Sequence, residues 1–583
     1  MFDTHDSDRH WGPRIGPDGV HFRLWAPGLE SLVLHLDGRD HEMDKQGDGW
    51  FATVAEARDG SEYGFRIPDG RMFHDPAAHA QSGDVHSLSR VVVPRYEWKH
   101  PPSARKWEEA VIYECHVGTF TPEGTFAAMH EKLDYLVDLG VTALELLPVA
   151  TFGGERGWGY DGTLLYAPHR AYGTPDELRA LVDAAHGKGL MVILDVVYNH
   201  FGPEGSYLSA HTPEFFDEGR HTPWGNAIDY SEGPVRRFFI DNAIYWLQQF
   251  RFDGLRFDAV DHIRDTSEPE LLVQLARDIR ARMDREVHLT TEDNRNITYL
   301  HERDGDRVPL MTAEWNDDWH HCAHVLATGE TEGYYAFFEN DPAGLMAKAA
   351  ATGFCYQGEV YEGGEPRGAP SDHLPPAAFI DFLQNHDQVG NRAIGERIAA
   401  LATPDMIRAL HTTLLLSPHI PLLFMGEEYG ETRPFLFFAD FHDELGRAVT
   451  EGRRKEFEGF GDHQGDDVPD PIAPSTFTDS KLDWDKLSAE PHRATYAFVR
   501  DLLRLRQEKV VPLLSGTGPN SGTVLEVPDR CVAVDWRLNG GTLRLRANFG
   551  DRAVALPPAG GDLIQLTGEA PGAPVSAAFW LDK

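Results

Sequence analysis

The chain has 583 residues, with 54 Lys and Arg against 93 Asp and Glu, a formal net charge of −39 at neutral pH. That length exceeds what one hydrophobic core serves, so two to four domains are expected, one of them large. The acidic balance disfavours phosphate backbones and anionic membrane surfaces, so neither nucleic acid nor membrane is an expected partner, whereas a neutral ligand meets no such penalty.

The opening MFDTHDSDRHWGP is polar and acidic with no apolar core, and no later run approaches the roughly 18 apolar residues that a membrane helix needs. Four widely separated cysteines (Cys115, Cys322, Cys355 and Cys531) suggest neither a disulfide framework nor a zinc site. A soluble protein of the reducing cytoplasm is expected.

Over the first hundred residues apolar side chains alternate at period two: Val20, Phe22 and Leu24, then Leu32, Leu34 and Leu36, then Tyr63, Phe65 and Ile67. This predicts an N-terminal β-sandwich over 1–98, followed by a linker from Tyr96 to Lys106. Short apolar runs then alternate with amphipathic segments. Strands are predicted at 111–117, 142–149, 190–198, 254–260, 287–293, 309–315, 378–384 and 420–426. Helices are predicted at 125–139, 175–188, 234–250, 268–284 and 404–416. Eight near-continuous apolar strands interleaved with helices point to the α/β class and a (β/α)8 barrel, a TIM barrel over 105–500, with its chemistry at the strand ends. From about residue 515 the pattern returns to strands, predicting a C-terminal β-sandwich over 510–583.

Three acids close three separate predicted strands. Asp258 follows GLRF, Glu292 follows HLTT, and Asp387 follows FLQNH. Any one alone is better explained as a helix cap or loop carboxylate. Together on one barrel face they match what retaining glycoside cleavage requires, a carboxylate nucleophile and a carboxylic acid held on rigid elements. Arg256 precedes Asp258 by two, so on a strand both point the same way and the guanidinium keeps Asp258 ionised. Asp195, Asn199 and His200 in DVVYNH, with His386 beside Asp387, suit hydrogen bonds to sugar hydroxyls. Of the 29 histidines only His200 and His386 stand out, and no grouping makes a metal site. This chemistry needs no cofactor. A Ca²⁺ near Asn199 has an analogy in amylases, but no dense carboxylate cluster demands one.

The segments DVVYNH (195–200), GLRFDAVDH (254–262), TTED (290–293) and FLQNHD (382–387) resemble, in order, the four signature regions of the α-amylase family. That resemblance implies Asp258 as nucleophile, Glu292 as general acid/base and Asp387 as transition-state stabiliser, supported by Arg256, His200 and His386. A narrower resemblance spans most of the chain. WGP and FRLWAP, FGGERGWGYDG (152–162), AEWNDDWHH (313–321) and MGEEYGETRPFLFFADF (425–441) are similar to maltooligosyltrehalose trehalohydrolases. It implies cleavage of the α-1,4 bond that joins trehalose to a maltooligosaccharide, with maltooligosyltrehalose and α-glucan oligosaccharides as ligands. It also implies Gln at position 314, where this chain carries Glu314.

Trp158, Tyr160, Trp315, Trp319 and Phe435 offer flat faces for pyranose rings, or equally barrel-rim packing, while Asn316, Asp317 and His320 can bond hydroxyls. Asp161 and His262, in the same segments, complete the substrate-binding candidates. The alternatives are a glycogen branching or debranching enzyme with the same acids, and a glucan-binding protein that has lost the chemistry. The intact acids disfavour the second.

Overall fold

The computed structural model describes residues 11–222, 225–360, 364–457 and 468–583; the stretch 1–10 lies outside them. The N-terminal unit is two antiparallel sheets. One runs in the order Arg14–Gly16, Gly19–Trp25, Trp50–Ala55, Asp44–Lys45, and the other Arg39–Glu42, Val33–Leu36, Glu62–Arg66, Met72–Phe73, with Ser89–Arg90 also on Glu62–Arg66. The alternating Phe22, Leu24, Leu34, Tyr63 and Phe65 are all buried in its core. Trp11 joins this unit to the barrel: its indole lies edge-on to Phe238 at 5.1 Å and donates to the Pro234 carbonyl at 2.8 Å.

Eight parallel strands close the barrel: β1 (Ile112–Cys115), β2 (Ala143–Leu146), β3 (Met191–Val196), β4 (Gly254–Phe257), β5 (His288–Thr291), β6 (Ala313–Trp315), β7 (Phe379–Phe382) and β8 (Ile420–Phe424). All eight expected strands are present, each shorter than its apolar run, so the acids fall beyond the strands and not within them. One cluster of inward residues, including Ile112, Ala143, Ile193, Ala313, Ile380 and Leu422, fills the barrel. Two positions further along β1 to β4 the inward residues become polar: Glu114 pairs across from Glu145, and Asp195 from Arg256. The layer of polar side chains therefore lies just below the mouth.

The helices Pro175–Gly187, Gly233–Gln249 and Pro404–Leu416 match their predicted spans closely. The first carries a full capping box, Thr174 with Glu177. The expected helix at 125–139 is two, Phe126–His130 and Leu133–Leu139. That at 268–284 starts only at Leu271, since Pro269 disfavours a helical residue before it. Two further helices between β6 and β7, Asp317–Thr328 and Pro342–Thr352, are absent from the sequence reading.

The C-terminal strands β9 (Gly522–Val524), β10 (Cys531–Leu538), β11 (Gly541–Asn548), β12 (Asp562–Thr567) and β13 (Ser576–Asp582) form one sheet in the order β9-β10-β11-β13-β12. The expected second sheet of a sandwich is replaced by helices of the barrel. Trp536 on β10 donates to the Ala350 carbonyl at 2.8 Å, and the hydroxyls of Thr412 and Thr567 bond at 2.7 Å. A sheet covered in this way needs no second layer. Among the described residues no helix is long and apolar enough to cross a membrane.

Candidate active site

Asp258 and Glu292 each follow the last residue of a barrel strand, and their backbone N–H groups extend the ladder, to Val196 at 3.1 Å and to Phe257 at 3.1 Å. Asp387 sits further out, on the helical turn His386–Gly390. Asn385 caps that turn, its Oδ1 accepting from the N–H groups of Asp387 and Gln388 at 2.9 and 3.2 Å.

Arg256, fully buried on β4, ties the strand ends together. Its Nη1 donates to Asp195 Oδ2 at 2.7 Å and Asp258 Oδ1 at 2.9 Å, and its Nη2 to Glu292 Oε2 at 2.6 Å. The guanidinium lies 4.1 Å above the ring of Trp315. Asp258 also accepts from Asn199 Nδ2 at 3.0 Å, and Glu292 from the Ala259 N–H at 3.0 Å. Ala259 reaches that position through a left-handed backbone, φ 39°, a conformation a non-glycine residue holds only against strain. Burial pushes Asp195 up to about 7 even with Arg256 opposing it. Asp195 accepts the hydroxyl of Tyr160 at 2.6 Å, and the Tyr160 ring lies parallel to His386, 4.9 Å away.

Glu292, Asp317 and Asp387 line a cleft of about 1110 Å³ together with His321, Tyr334, Arg367, Gln388 and Asn391. Asp317 accepts from Gln388 Nε2 at 3.0 Å. Burial, then Glu292 and Asp387, push its carboxyl up to about 8, so it holds a proton at neutral pH. The Asp387 side chain, 34% exposed, opens to the cleft, while that of Asp258 is 10% exposed.

The other sequence candidates divide. His200 is buried beside Tyr160, its Nε2 bonded to the Tyr160 carbonyl at 3.0 Å. Half-buried Asp161 and His262 lie at the ends of the same loops. Trp158 is largely covered: it stacks on Phe435 at 5.1 Å, donates to the Leu436 carbonyl and meets His386 edge-on. Trp315, Asn316, Trp319 and His320 lie under the cleft floor, each 2% exposed or less. Asn316 spends its amide on the Gly353 carbonyl and Asp381. His320 donates through Nδ1 to the Leu383 carbonyl at 2.6 Å and accepts from Tyr335 at Nε2, since burial keeps the ring neutral. The hydroxyl-binding role expected of Asn316 and His320 is therefore replaced by support, because the run that reads as a polar loop folds as a helix whose inner face carries them. Glu314 is buried too, accepting the Asp293 N–H at 2.6 Å and bonded to Thr291 and His301. No group of three His, Cys, Asp or Glu side chains among the described residues has metal-binding geometry.

Sequence reasoning missed the far wall of the cleft. Tyr334 is 45% exposed there, its ring 4.9 Å from His321. The loop that carries it has no periodicity that marks an aromatic as a wall residue.

The profile of the alpha amylase catalytic domain matches residues 100–223, and that of a domain of unknown function matches residues 519–580. The malto-oligosyltrehalose trehalohydrolase of Deinococcus radiodurans is 43% identical over 514 residues, 87% of this chain and 84% of that enzyme. The chain belongs to the malto-oligosyltrehalose trehalohydrolases. A crystal structure described as a putative alpha amylase from Salmonella typhimurium matches with a TM-score of 0.96 at 53% identity, covering 99% of this chain and all of that one. By contrast, the 1,4-alpha-glucan branching enzyme of Mycolicibacterium paratuberculosis, 36% identical, covers 43% of this chain and 38% of its own. Membership in the trehalohydrolases thus extends over nearly the whole fold, and likeness to branching enzymes over less than half.

Proposed function

We propose that the chain is a retaining glycoside hydrolase that cleaves the α-1,4-glucosidic bond next to the trehalose end of maltooligosyltrehalose, releasing trehalose and a maltooligosaccharide. The observation that carries this reading is the single buried guanidinium of Arg256 bonded to Asp195, Asp258 and Glu292 at the mouth of the barrel, with Asp387 on the cleft wall.

Asp258, held by Arg256 and Asn199, attacks the anomeric carbon. Glu292 gives its proton to the departing glycosidic oxygen, and a glycosyl–Asp258 ester forms. Glu292, now a carboxylate, takes a proton from water, and the resulting hydroxide equivalent displaces Asp258 with net retention. The Asp387 carboxyl, opening to the cleft, stabilises the positive charge that develops on the ring between these states.

Incubation with maltopentaosyl trehalose and, separately, with maltoheptaose tests the substrate. Trehalose released from the first, with slow cleavage of the second, is the expected chromatogram. Preferential cleavage of maltoheptaose, or altered iodine staining and chain lengths of amylose or glycogen, would move the activity to a general amylase or to branching and debranching. On the cleft wall, Tyr334 presents its ring for a pyranose face, and Tyr334→Ala is expected to raise KM about tenfold, with a smaller change in kcat, in steady-state kinetics. All four cysteines are buried and free of disulfides, a usage that fits a reducing compartment, and we place the protein in the cytoplasm on that ground.

A further inference from the structure

His386, buried behind Asp387, is held by a residue that the mechanism has not used. Glu114 on β1 takes both of its N–H groups: Oε2 accepts from the backbone N–H at 3.0 Å, and Oε1 from Nδ1 at 2.5 Å. Two hydrogen bonds from one carboxylate fix both the position of the residue and the plane of its ring. Tyr160 covers one face and Trp158 meets the ring edge-on. The remaining nitrogen, Nε2, lies 3.5 Å from Asp387 Oδ1. The imidazole therefore sits between a carboxylate below and a carboxylate at the cleft.

The charged groups that face this ring are Asp387 on its own turn, Glu114 and His116 from β1 and its end, Asp195 from β3 and Arg256 from β4, with Glu145 on β2. Glu145 pairs directly across from Glu114, and neither of its buried carboxyl oxygens has a hydrogen-bond partner among the described residues. Burial first, then Glu114 and Asp195, push Glu145 well above the usual carboxylate range. Of the two carboxyls it is Glu114, and not Glu145, that is hydrogen-bonded to His386. His116 is kept neutral, pushed down to about 3 mainly by burial.

We propose that Glu114 is a positioning residue for the hydrolysis described above: it clamps His386 and keeps its ring doubly protonated, so that a positive charge and an Nε2–H stand beside Asp387 at the cleft. Burial alone would drive the ring neutral, but Asp387 and Glu114 outweigh it and raise His386 to about 10. An imidazolium there directs its Nε2–H toward Asp387 and orients the carboxyl that faces the cleft, which a neutral ring of undefined tautomer does not. The inference rests on the hydrolase reading of the site.

The test compares Glu114→Gln with wild type in kcat/KM on maltopentaosyl trehalose from pH 5 to pH 8. Removing the charge lets His386 lose its proton within that range. The variant is expected to fall about tenfold or more below wild type at pH 8, with the gap narrowing toward pH 5 as solvent returns the proton. Glu114→Asp, which retains the charge, is expected to recover to within about threefold with a nearly flat ratio. Glu145→Gln, which leaves the bonds between Glu114 and His386 in place, is expected to track wild type across the range. A Glu114→Gln deficit that is the same at every pH reports a structural lesion and overturns the proposal, as does wild-type activity. Should Glu114→Gln not fold, Glu114→Asp carries the test: a large, pH-independent loss in it has the same force. Absence of trehalose from the wild-type digest would instead count against the substrate, and the pH ratio is then read on whichever α-glucan the wild type cleaves.

Discussion

Asp258→Ala is expected to lower kcat by about 10⁴-fold or more while the chain stays folded. The carboxylate stands one residue past β4 and is oriented by two donors, Arg256 and Asn199, and without it no covalent intermediate forms. Arg256 keeps its bonds to Asp195 and Glu292, so the barrel mouth loses one partner of three and the unfolding temperature should change little. Glu292→Gln is expected to match this loss on trehalose as leaving group, since an amide of the same shape keeps the Arg256 and Ala259 contacts but has no proton to give. Single-turnover kinetics together with thermal unfolding checks both. Turnover within tenfold of wild type would remove the affected residue from its role.

Arg256→Met carries the second large effect, on stability and activity together. Its guanidinium is fully buried and neutralises Asp195, Asp258 and Glu292 from one point. Removing the one cation that three buried carboxyls share typically costs about 3–5 kcal/mol, because none of them is left with a compensating charge, whereas loss of a single carboxyl leaves Arg256 two others. The sign of the pH dependence follows. In the variant Asp195, already pushed up to about 7 by burial, loses the guanidinium that opposes that rise, so acidification relieves the unpaired charge and the stability gap to wild type is expected to shrink from pH 8 to pH 5. Denaturant unfolding at the two pH values measures it, and a gap that is constant or widens on acidification would contradict this account of the site. Activity is expected to fall at least about 10³-fold, since Asp258 and Glu292 both lose the guanidinium that positions them.

The barrel and its three acids were legible because the relevant information is local. Each acid follows an apolar run that can only be a buried strand, and the residue two before Asp258 carries the matching cation. What stayed hidden depends on long-range pairing. Glu114 sits within VIYECHV among residues that read as core, and its partner His386 lies 272 positions along the chain; nothing local distinguishes its charge from any other. The run AEWNDDWHH looked like a hydroxyl-binding loop because it is rich in polar and aromatic groups. It forms the end of β6 and the start of the helix Asp317–Thr328, where His320 and Trp319 point into a packed layer and Asp317 and His321 reach the cleft. The second C-terminal sheet was expected because strands with one apolar face need a cover, and periodicity cannot say whether that cover is a sheet or the helices Pro342–Thr352 and Pro404–Leu416.

The order of the C-terminal sheet bears on where this chain tolerates damage. Strand β13, Ser576–Asp582, lies between β11 and β12 and is hydrogen-bonded to both. A stop codon at position 576 would therefore remove not a fringe but an inner stave, leaving β12 with no paired strand and the backbone edge of β11 unpaired along its length. Frameshifts there should be as harmful to accumulation as those hundreds of codons upstream, while an affinity tag appended after the exposed Lys583 disturbs no strand.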